Sequence, residues 1–316
     1  MRILVTGGAG FIGSHLCERL VKEGHELTAV DNFITGSRDN IQHLLHLENF
    51  DLIEYDLIQP LDGGPWDAIY HLASPASPVG YWQHPLETLL VNSTGTYHLL
   101  ELANRWGAKF LLTSTSEVYG DPLEHPQKES YWGNVNPVGP RACYDEGKRF
   151  AEAITDLYIQ KRGLDGRIVR LFNTYGPRNR LEDGRIIPNF ATQALSGKPI
   201  TIYGDGSQTR SLCFVADTVE GIITAMNHEG TRGQVINLGN PDERTVLEFA
   251  EIIKRLTNSS SPIQHLPGRE EEVRQRCPDI SRAKELLGWE PKTELEVGLL
   301  KTIAWIREQM AIVGTE

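Results

Sequence analysis

Hydrophobic and polar positions alternate along the first half of the chain in blocks of two lengths. Short apolar runs rich in β-branched residues recur at residues 2–6, 26–30, 50–55, 68–72, 109–113 and 166–172. Runs of that length and composition read as strands buried on both faces, as in parallel sheets. Longer stretches with helical spacing lie between them. These are residues 14–23, residues 85–106 with Leu89, Leu99, Leu100 and Leu102 among their apolar positions, and residues 144–161. Strands separated by helical segments imply parallel pairing with helices on both faces, an α/β class. After Asn173 the pattern changes: residues 176–206 are dense in turns and charges, and helical spacing returns at 245–256, 281–286 and 295–310. A doubly wound domain over residues 1–173, rejoined by 211–240, is therefore expected. A smaller, partly interleaved C-terminal lobe would be built from 174–210 and 241–316.

The first strand runs directly into Gly7, Gly10 and Gly13, spaced G-x-x-G-x-x-G, and then into a helix. Glycines so placed allow a tight turn, close backbone approach to a pyrophosphate and close packing of helix on strand. The helix start adds unpaired N–H groups and a positive dipole end. The second strand ends in Asp31 and Asn32. A carboxylate there suits the two ribose hydroxyls of an adenosine and repels a 2′-phosphate, which favours NAD over NADP. Strand, glycine turn, helix and acid together predict a Rossmann-type dinucleotide site.

Composition narrows the class without naming the chemistry. At 316 residues, 40% hydrophobic and 23% charged, the chain is ordinary for a globular protein with a large core. No run of eighteen apolar residues is present, so no membrane span is expected. A strand starting at Arg2 leaves no room for a signal peptide, and the four cysteines (17, 143, 213 and 277) form no C-x-x-C. A reduced, cytoplasmic protein with no metal at its site is the expectation. The net charge of −11 argues against a nucleic-acid partner. An anionic substrate would have to be met by local arginines, against the overall field.

Tyr144 and Lys148 are four residues apart, on one face of a predicted helix. A free phenol, with a pKa of about 10, is a poor base at neutral pH. A neighbouring ammonium favours the phenolate and makes it a proton acceptor. Open parallel sheets bind ligands beyond the carboxyl ends of their strands. Three segments rich in hydroxyls and small residues follow strands on that edge: residues 73–78, 114–117 and 173–178. With the glycine turn and the Tyr–Lys helix they outline a cleft.

These motifs resemble those of the extended short-chain dehydrogenases/reductases, the nucleotide-sugar epimerases and dehydratases. Gly7-x-x-Gly10-x-x-Gly13 and Tyr144-x-x-x-Lys148 mark the superfamily. The blocks at 71–78, 114–122, 139–149, 204–210 and 237–241 are most similar to the UDP-glucuronate decarboxylase family, and the resemblance runs from Arg2 to about Arg307. It implies a bound NAD that takes hydride from carbon 4 of the sugar. The resulting ketone is β to the carboxylate, so carbon dioxide leaves an enolate, and protonation with hydride return gives UDP-xylose.

The resemblance also implies residue roles. Tyr144 would be the base, Lys148 would lower its pKa and hold the nicotinamide ribose, and Thr115 would orient the carbon-4 hydroxyl. Ser116 and Glu117 occupy the loop where decarboxylases carry Ser-Glu, and Glu117 would stand beside the substrate carboxylate. Arg210 and Arg276 match positions that grip the pyrophosphate or lie over the sugar; Asn173 and Tyr203 match positions near the diphosphate and uracil. The further cofactor contacts would be Phe11, Ile12, Thr35, Gly36, Asp56, Leu57, Leu72, Ala73, Ser74 and Thr174. Arg178 and Arg185 could serve either the cofactor or the substrate side. Leu90 departs from the family, which usually has a lysine there. A homodimer through the helices at 85–106 and 144–161 is implied as well. A 4-epimerase or 4,6-dehydratase on a UDP- or dTDP-sugar stays open as an alternative. So does a catalytically silent NAD or nucleotide-sugar sensor, although Thr115, Tyr144 and Lys148 are all present.

Overall fold

A computed structural model describes residues 1–268 and 273–313; residues 269–272 and 314–316, which belong to the segment expected in the second lobe, lie outside the described residues. Its frame is a seven-stranded sheet. Six strands come from the first 171 residues: β1 (Arg2–Thr6), β2 (Glu26–Asp31), β3 (Phe50–Glu54), β4 (Ala68–His71), β5 (Lys109–Thr115) and β6 (Gly166–Leu171). Next along the chain are β7 (Thr174–Tyr175), β8 (Ile200–Tyr203), β9 (Thr209–Ser211) and β10 (Cys213–Phe214). They are followed by β11 (Val235–Leu238), β12 (Glu243–Thr245) and β13 (Ile263–Leu266). The sheet order is β11-β6-β5-β4-β1-β2-β3, parallel throughout. The chain reverses direction of travel across the sheet between β1 and β4, which opens the crevice expected of a doubly wound sheet. The Rossmann-type expectation is met.

Helices α1 (Phe11–Lys22), α2 (Pro78–Gln83), α3 (Pro85–Leu90), α4 (Thr96–Trp106) and α5 (Ala142–Arg162) belong to the first half. The second half supplies α6 (Ile186–Leu195), α7 (Val215–Asn227), α8 (Val246–Thr257), α9 (Ser281–Leu287) and α10 (Leu295–Val313). Among the described residues two large apolar cores form, one on each face of the sheet, with a small third cluster of Val118, Tyr119 and Phe172. One packs Leu16 and Leu20 of α1 with Ile222 of α7 and Phe190 of α6; the other packs Leu99 and Leu100 of α4 with Ala151 of α5. A short antiparallel ribbon of β9 and β12 and a parallel pair of β8 and β13 lie outside the main sheet.

Three expectations are corrected. The single helix read over residues 85–106 is interrupted by a π turn, Val91–Gly95. There Asn92 points its amide at the Ser74 hydroxyl (2.8 Å) and the Thr96 hydroxyl donates to the Asn92 carbonyl (2.9 Å). Such polar side chains compete with the helical ladder and let it bulge. The fifth strand runs two residues beyond its expected end, because Ser114 and Thr115 still pair with Arg170 and Leu171. Thr115 is thus held on a strand rather than a loop. Finally, the turn-rich reading of 176–206 overlooked α6, whose Ile187, Phe190, Ala191 and Ala194 share one buried face. The frequent glycines and charges around it masked that spacing.

Candidate active site

The carboxyl ends of β1, β2, β4, β5 and β6 open into a cleft of about 440 Å³. Every residue expected at the site lines it, from Gly7 to Arg276. Two ends can be distinguished by the side chains they carry.

At one end the turn after β1 is tight. Gly7 has φ +69°, and a Cβ there would meet Ala73 backbone atoms at 2.9 Å; a methyl on Gly13 would overlap the Gly7 carbonyl. Only glycine leaves the backbone amides of this turn open to a ligand. Asp31, at the end of β2, is buried, with Oδ2 accepting from the Ala9 N–H (2.9 Å) and Oδ1 from the Phe33 N–H (2.8 Å). Burial pushes its carboxyl above the usual range, the two backbone hydrogen bonds opposing the shift. Each oxygen keeps a lone pair for a ribose hydroxyl. Asn32, Thr35 and Gly36 complete this corner, with Phe11 and Ile12 beside the glycine turn and Asp56 and Leu57 across from it. After β4, Leu72 and Ala73 direct their N–H groups to the Thr6 hydroxyl (both 3.2 Å), which fixes the backbone running to Ser74. Thr174 spends its hydroxyl on the Phe172 carbonyl and on Thr218 (both 3.1 Å). Arg178 pairs with Glu18 of α1 at 2.5 Å, which settles it on this side.

At the other end, α5 brings Tyr144 and Lys148 under β5. The helix is pinned to the sheet by Arg170 of β6, which donates from Nε and Nη2 to the two oxygens of Glu152 (2.9 and 2.7 Å). The Tyr144 phenol is buried and pushed up to about 12 by burial, with a hydrogen bond from Thr115 and the charge of Arg185 working the other way. The Lys148 ammonium donates to the Thr113 carbonyl (2.9 Å) and burial lowers it to about 7. In this geometry the hydrogen bond from Thr115 and the charge of Arg185 favour the phenolate, groups that the sequence reading did not name for that effect. The Tyr81 ring stacks on Tyr144, with centroids 5.4 Å apart and planes 9° from parallel.

Glu117 follows β5 and is met by two guanidiniums. Arg141, on the turn before α5, pairs with its Oε2, and Arg276 reaches the same oxygen at 3.2 Å. Burial alone would raise the Glu117 carboxyl; Arg276 and then Arg141 outweigh it and hold the group below the usual carboxylate range. Arg141 also meets Asp145 at 3.5 Å, so this corner carries a net positive charge while Asp145 is protonated, inside a protein whose overall charge is −11. Arg276 is 2% exposed and also donates to the Ser116 and Gly120 carbonyls, the latter at 2.9 Å. It therefore braces the loop at 116–120 as well as lining the cleft. Asp145 is driven up to about 7, chiefly by burial and then by Glu117, against Arg141.

Tyr203 and Arg210 line the far wall with Asn173, and the Arg210 guanidinium donates to the Thr209 carbonyl (2.7 Å). Arg185, left open by the sequence, donates to the Ala76 carbonyl (2.6 Å) and pairs with Asp183 at 3.3 Å. Its charge is felt by both Tyr144 and Glu117, so it belongs to the catalytic end. Leu90 is not among the lining residues. Sequence reasoning missed Arg141 and Tyr81. Arg141 had a signal, since an arginine one turn before Tyr144 shares its helical face. Tyr81 had none, because its stacking partner is 63 positions away.

Comparison with known proteins agrees with this geometry. The chain is 53% identical to UDP-glucuronic acid decarboxylase 1 of Danio rerio over 98% of this chain and 73% of that protein. It is 53% identical to UDP-glucuronic acid decarboxylase 6 of Arabidopsis thaliana over 95% of this chain and 87% of the relative. Among solved structures it is similar to the UDP-glucuronic acid 4-epimerase of Bacillus cereus, seen with UDP-glucuronic acid and NAD. The TM-score is 0.87 at 30% identity, covering 98% of this chain and all of that one. The model of the NAD dependent epimerase/dehydratase family matches residues 3–239, and the chain belongs to that family.

Proposed function

We propose that this protein catalyses the NAD-dependent decarboxylation of UDP-glucuronate to UDP-xylose through a 4-keto sugar. The observation that carries the reading is identity above 50% to UDP-glucuronic acid decarboxylases over nearly the whole chain, against 30% to the UDP-glucuronic acid epimerase. The cradle fits a dinucleotide: a methyl at Gly7 or Gly13 would fill the space over the turn, and the buried Asp31 carboxylate faces the ribose corner. The amides of residues 7–13 would take the pyrophosphate, and Asp31 the adenosine ribose. Bound NAD supplies a hydride acceptor at the start of the cycle and the same hydride at its end.

The chain's own residues do the rest. Tyr144 removes the carbon-4 hydroxyl proton and later returns it, with Thr115 aligning that hydroxyl. Lys148 holds the ribose beside the base. As carbon dioxide leaves, negative charge collects on the carbon-4 oxygen, where the protonated Tyr144 and the Thr115 hydroxyl stabilise it. The net cation formed by Arg141, Arg276 and Glu117 orients the departing carboxylate. Asn173, at the edge of the first domain, and Tyr203 and Arg210 of the smaller lobe built from 174–210 and 241–316 hold the UDP portion.

On this reading the protein is a cytoplasmic homodimer. Four unpaired cysteines and the absence of any described helix long and apolar enough to cross a membrane support the location. Leu86, Phe150 and Leu157, exposed by 62%, 48% and 53% on α3 and α5, support the dimer, which sedimentation tests. The reaction is tested by incubating the protein with UDP-glucuronate and weighing the product. Loss of carbon dioxide with a UDP-pentose product is expected. An isomer of unchanged mass would make it an epimerase, and loss of water a dehydratase. No turnover on a panel of UDP- and dTDP-sugars, with tight NAD binding, would favour a sensor.

A further inference from the structure

Outside the cleft, three side chains from distant parts of the chain bring metal-ligating atoms together. They are His125, in the segment after β5, Glu243 of β12, and Cys277, next to Arg276; their ligand atoms lie within 4.8 Å of one another. His125 Nε2 and Glu243 Oε2 are 2.9 Å apart, and among the described residues this imidazole is the carboxylate's ion-pair partner. The other Glu243 oxygen accepts from the Thr209 hydroxyl. The backbone around the cluster is zipped: the Gln127 N–H donates to the Cys277 carbonyl, and the Cys277 N–H to the Gln127 side-chain oxygen, both at 2.9 Å. Beside the thiol lies Ser211, opposite Glu243 in the β9–β12 ribbon, and the thiol itself donates to the Pro241 carbonyl (3.6 Å).

We propose that His125, Glu243 and Cys277 form a binding site for a borderline divalent transition ion, Zn²⁺ foremost, separate from the catalytic cleft. One sulfur, one imidazole nitrogen and one carboxylate oxygen are a donor set that zinc accepts and that the hard ions Mg²⁺ and Ca²⁺ do not. Thiolate and carboxylate together neutralise the ion's two charges, and the Cys277 proton leaves to solvent on binding. Bond lengths of about 2.0–2.3 Å put tetrahedral ligand atoms roughly 3.3–3.8 Å apart, so the His125–Glu243 pair, at 2.9 Å, must open slightly while separations of up to 4.8 Å close by about 1 Å. His125 is exposed and held only through its ring nitrogens, by Glu243 and Gln127, so its imidazole can re-aim, while Glu243 and Cys277 are held by Thr209 and Gln127. Water entering beside the exposed His125 would complete the fourth position. Thr209 supplies the outer hydrogen bond that orients a ligating carboxylate.

Such an ion would staple the segment at 125–127, the β9–β12 ribbon and the segment at 276–277. Through Arg276, which is bonded to the carbonyls of Ser116 and Gly120, the staple would stiffen the loop that carries Glu117. The role is structural or regulatory, since no ligand lines the reaction cleft.

The test uses the full chain, stripped with a chelator and titrated with Co²⁺ and then Zn²⁺ alone, with no sugar nucleotide present. One cobalt per chain is expected, with a sulfur-to-cobalt charge-transfer band in the near ultraviolet that Zn²⁺ abolishes. A rise in melting temperature should accompany zinc loading. Cys277→Ser should remove the band, and Cys277→Ser, His125→Ala and Glu243→Gln should each weaken Zn²⁺ binding about tenfold or more. Retained NAD binding shows that each variant is folded. No binding above background, cobalt bound without the thiolate band, or affinity undiminished in Cys277→Ser overturns the proposal. None of these outcomes depends on whether UDP-glucuronate is the substrate.

Discussion

The two ends of the cleft are built in opposite ways. The cofactor end is organised around one backbone turn: Gly7, Gly10 and Gly13 shape it, the Asp31 carboxylate accepts from Ala9 and Phe33, and the Leu72 and Ala73 amides reach Thr6 from 66 and 67 positions away. The catalytic end gathers Glu117, Arg141 and Arg276, with separations of 24 and 159 positions. Tyr81 is stacked there on Tyr144 from a different helix. The first end is a property of backbone shape, and the second of charge balance among buried groups. Damage at one should therefore leave the other largely intact.

The largest separation is expected from Tyr144→Phe. Turnover should fall about a thousandfold while NAD affinity changes little, measured by single-turnover kinetics and by cofactor titration. Near wild-type turnover would remove Tyr144 as the base. Next comes Glu117→Gln, which leaves two guanidiniums facing each other without their shared carboxylate. Denaturant melts should show a loss of about 3 kcal/mol, with decarboxylation impaired and NAD affinity unchanged. Unchanged decarboxylation would take Glu117 out of the mechanism, and a matching loss of NAD affinity would break the contrast between the two ends.

Gly13→Ala probes the opposite end, where the new methyl meets the Gly7 carbonyl. An overlap worth about 2 kcal/mol predicts roughly thirtyfold weaker NAD binding by calorimetry. Turnover at saturating NAD should be largely kept.

Arg141→Met sharpens the electrostatic side. Glu117 has a folded pKa below its ordinary 4.5, so its contribution to stability is present above about pH 4.5 and is lost as pH falls through the lower folded value. Removing Arg141 weakens that depression, and the midpoint of acid unfolding should move upward by about half a pH unit. An unmoved midpoint would mean that Arg276 alone sets the Glu117 charge. The smallest effect is expected at Leu90, where the family usually carries lysine. Because Leu90 does not line the cleft, Leu90→Lys should change kcat/KM for UDP-glucuronate by less than about threefold, or 0.7 kcal/mol. A larger gain would assign the substrate carboxylate to that position.

Much of this was legible in the chain because the signals were local. Apolar runs named the strands of the central sheet, and the glycine spacing with Asp31 named the dinucleotide corner, since both depend on residues a few positions apart. The break in the helix at 91–95 was not legible: it arises where Asn92 finds Ser74, 18 positions away. The surroundings of the base were not legible for the same reason. Spacing put Lys148 on the same face as Tyr144, yet folding turned its ammonium to the Thr113 carbonyl and left Thr115 and Arg185 beside the phenol.

By itself the sequence determined the α/β class, the NAD-binding turn and the identities of the chemical groups, because periodicity and short-range sterics act along the chain. Only the tertiary structure decided which charges share a carboxylate, how far burial shifts each proton, and that His125, Glu243 and Cys277 meet at all. Coulomb forces and desolvation depend on distance in space and on exclusion of water, and neither exists until the two halves of the chain have packed against one sheet.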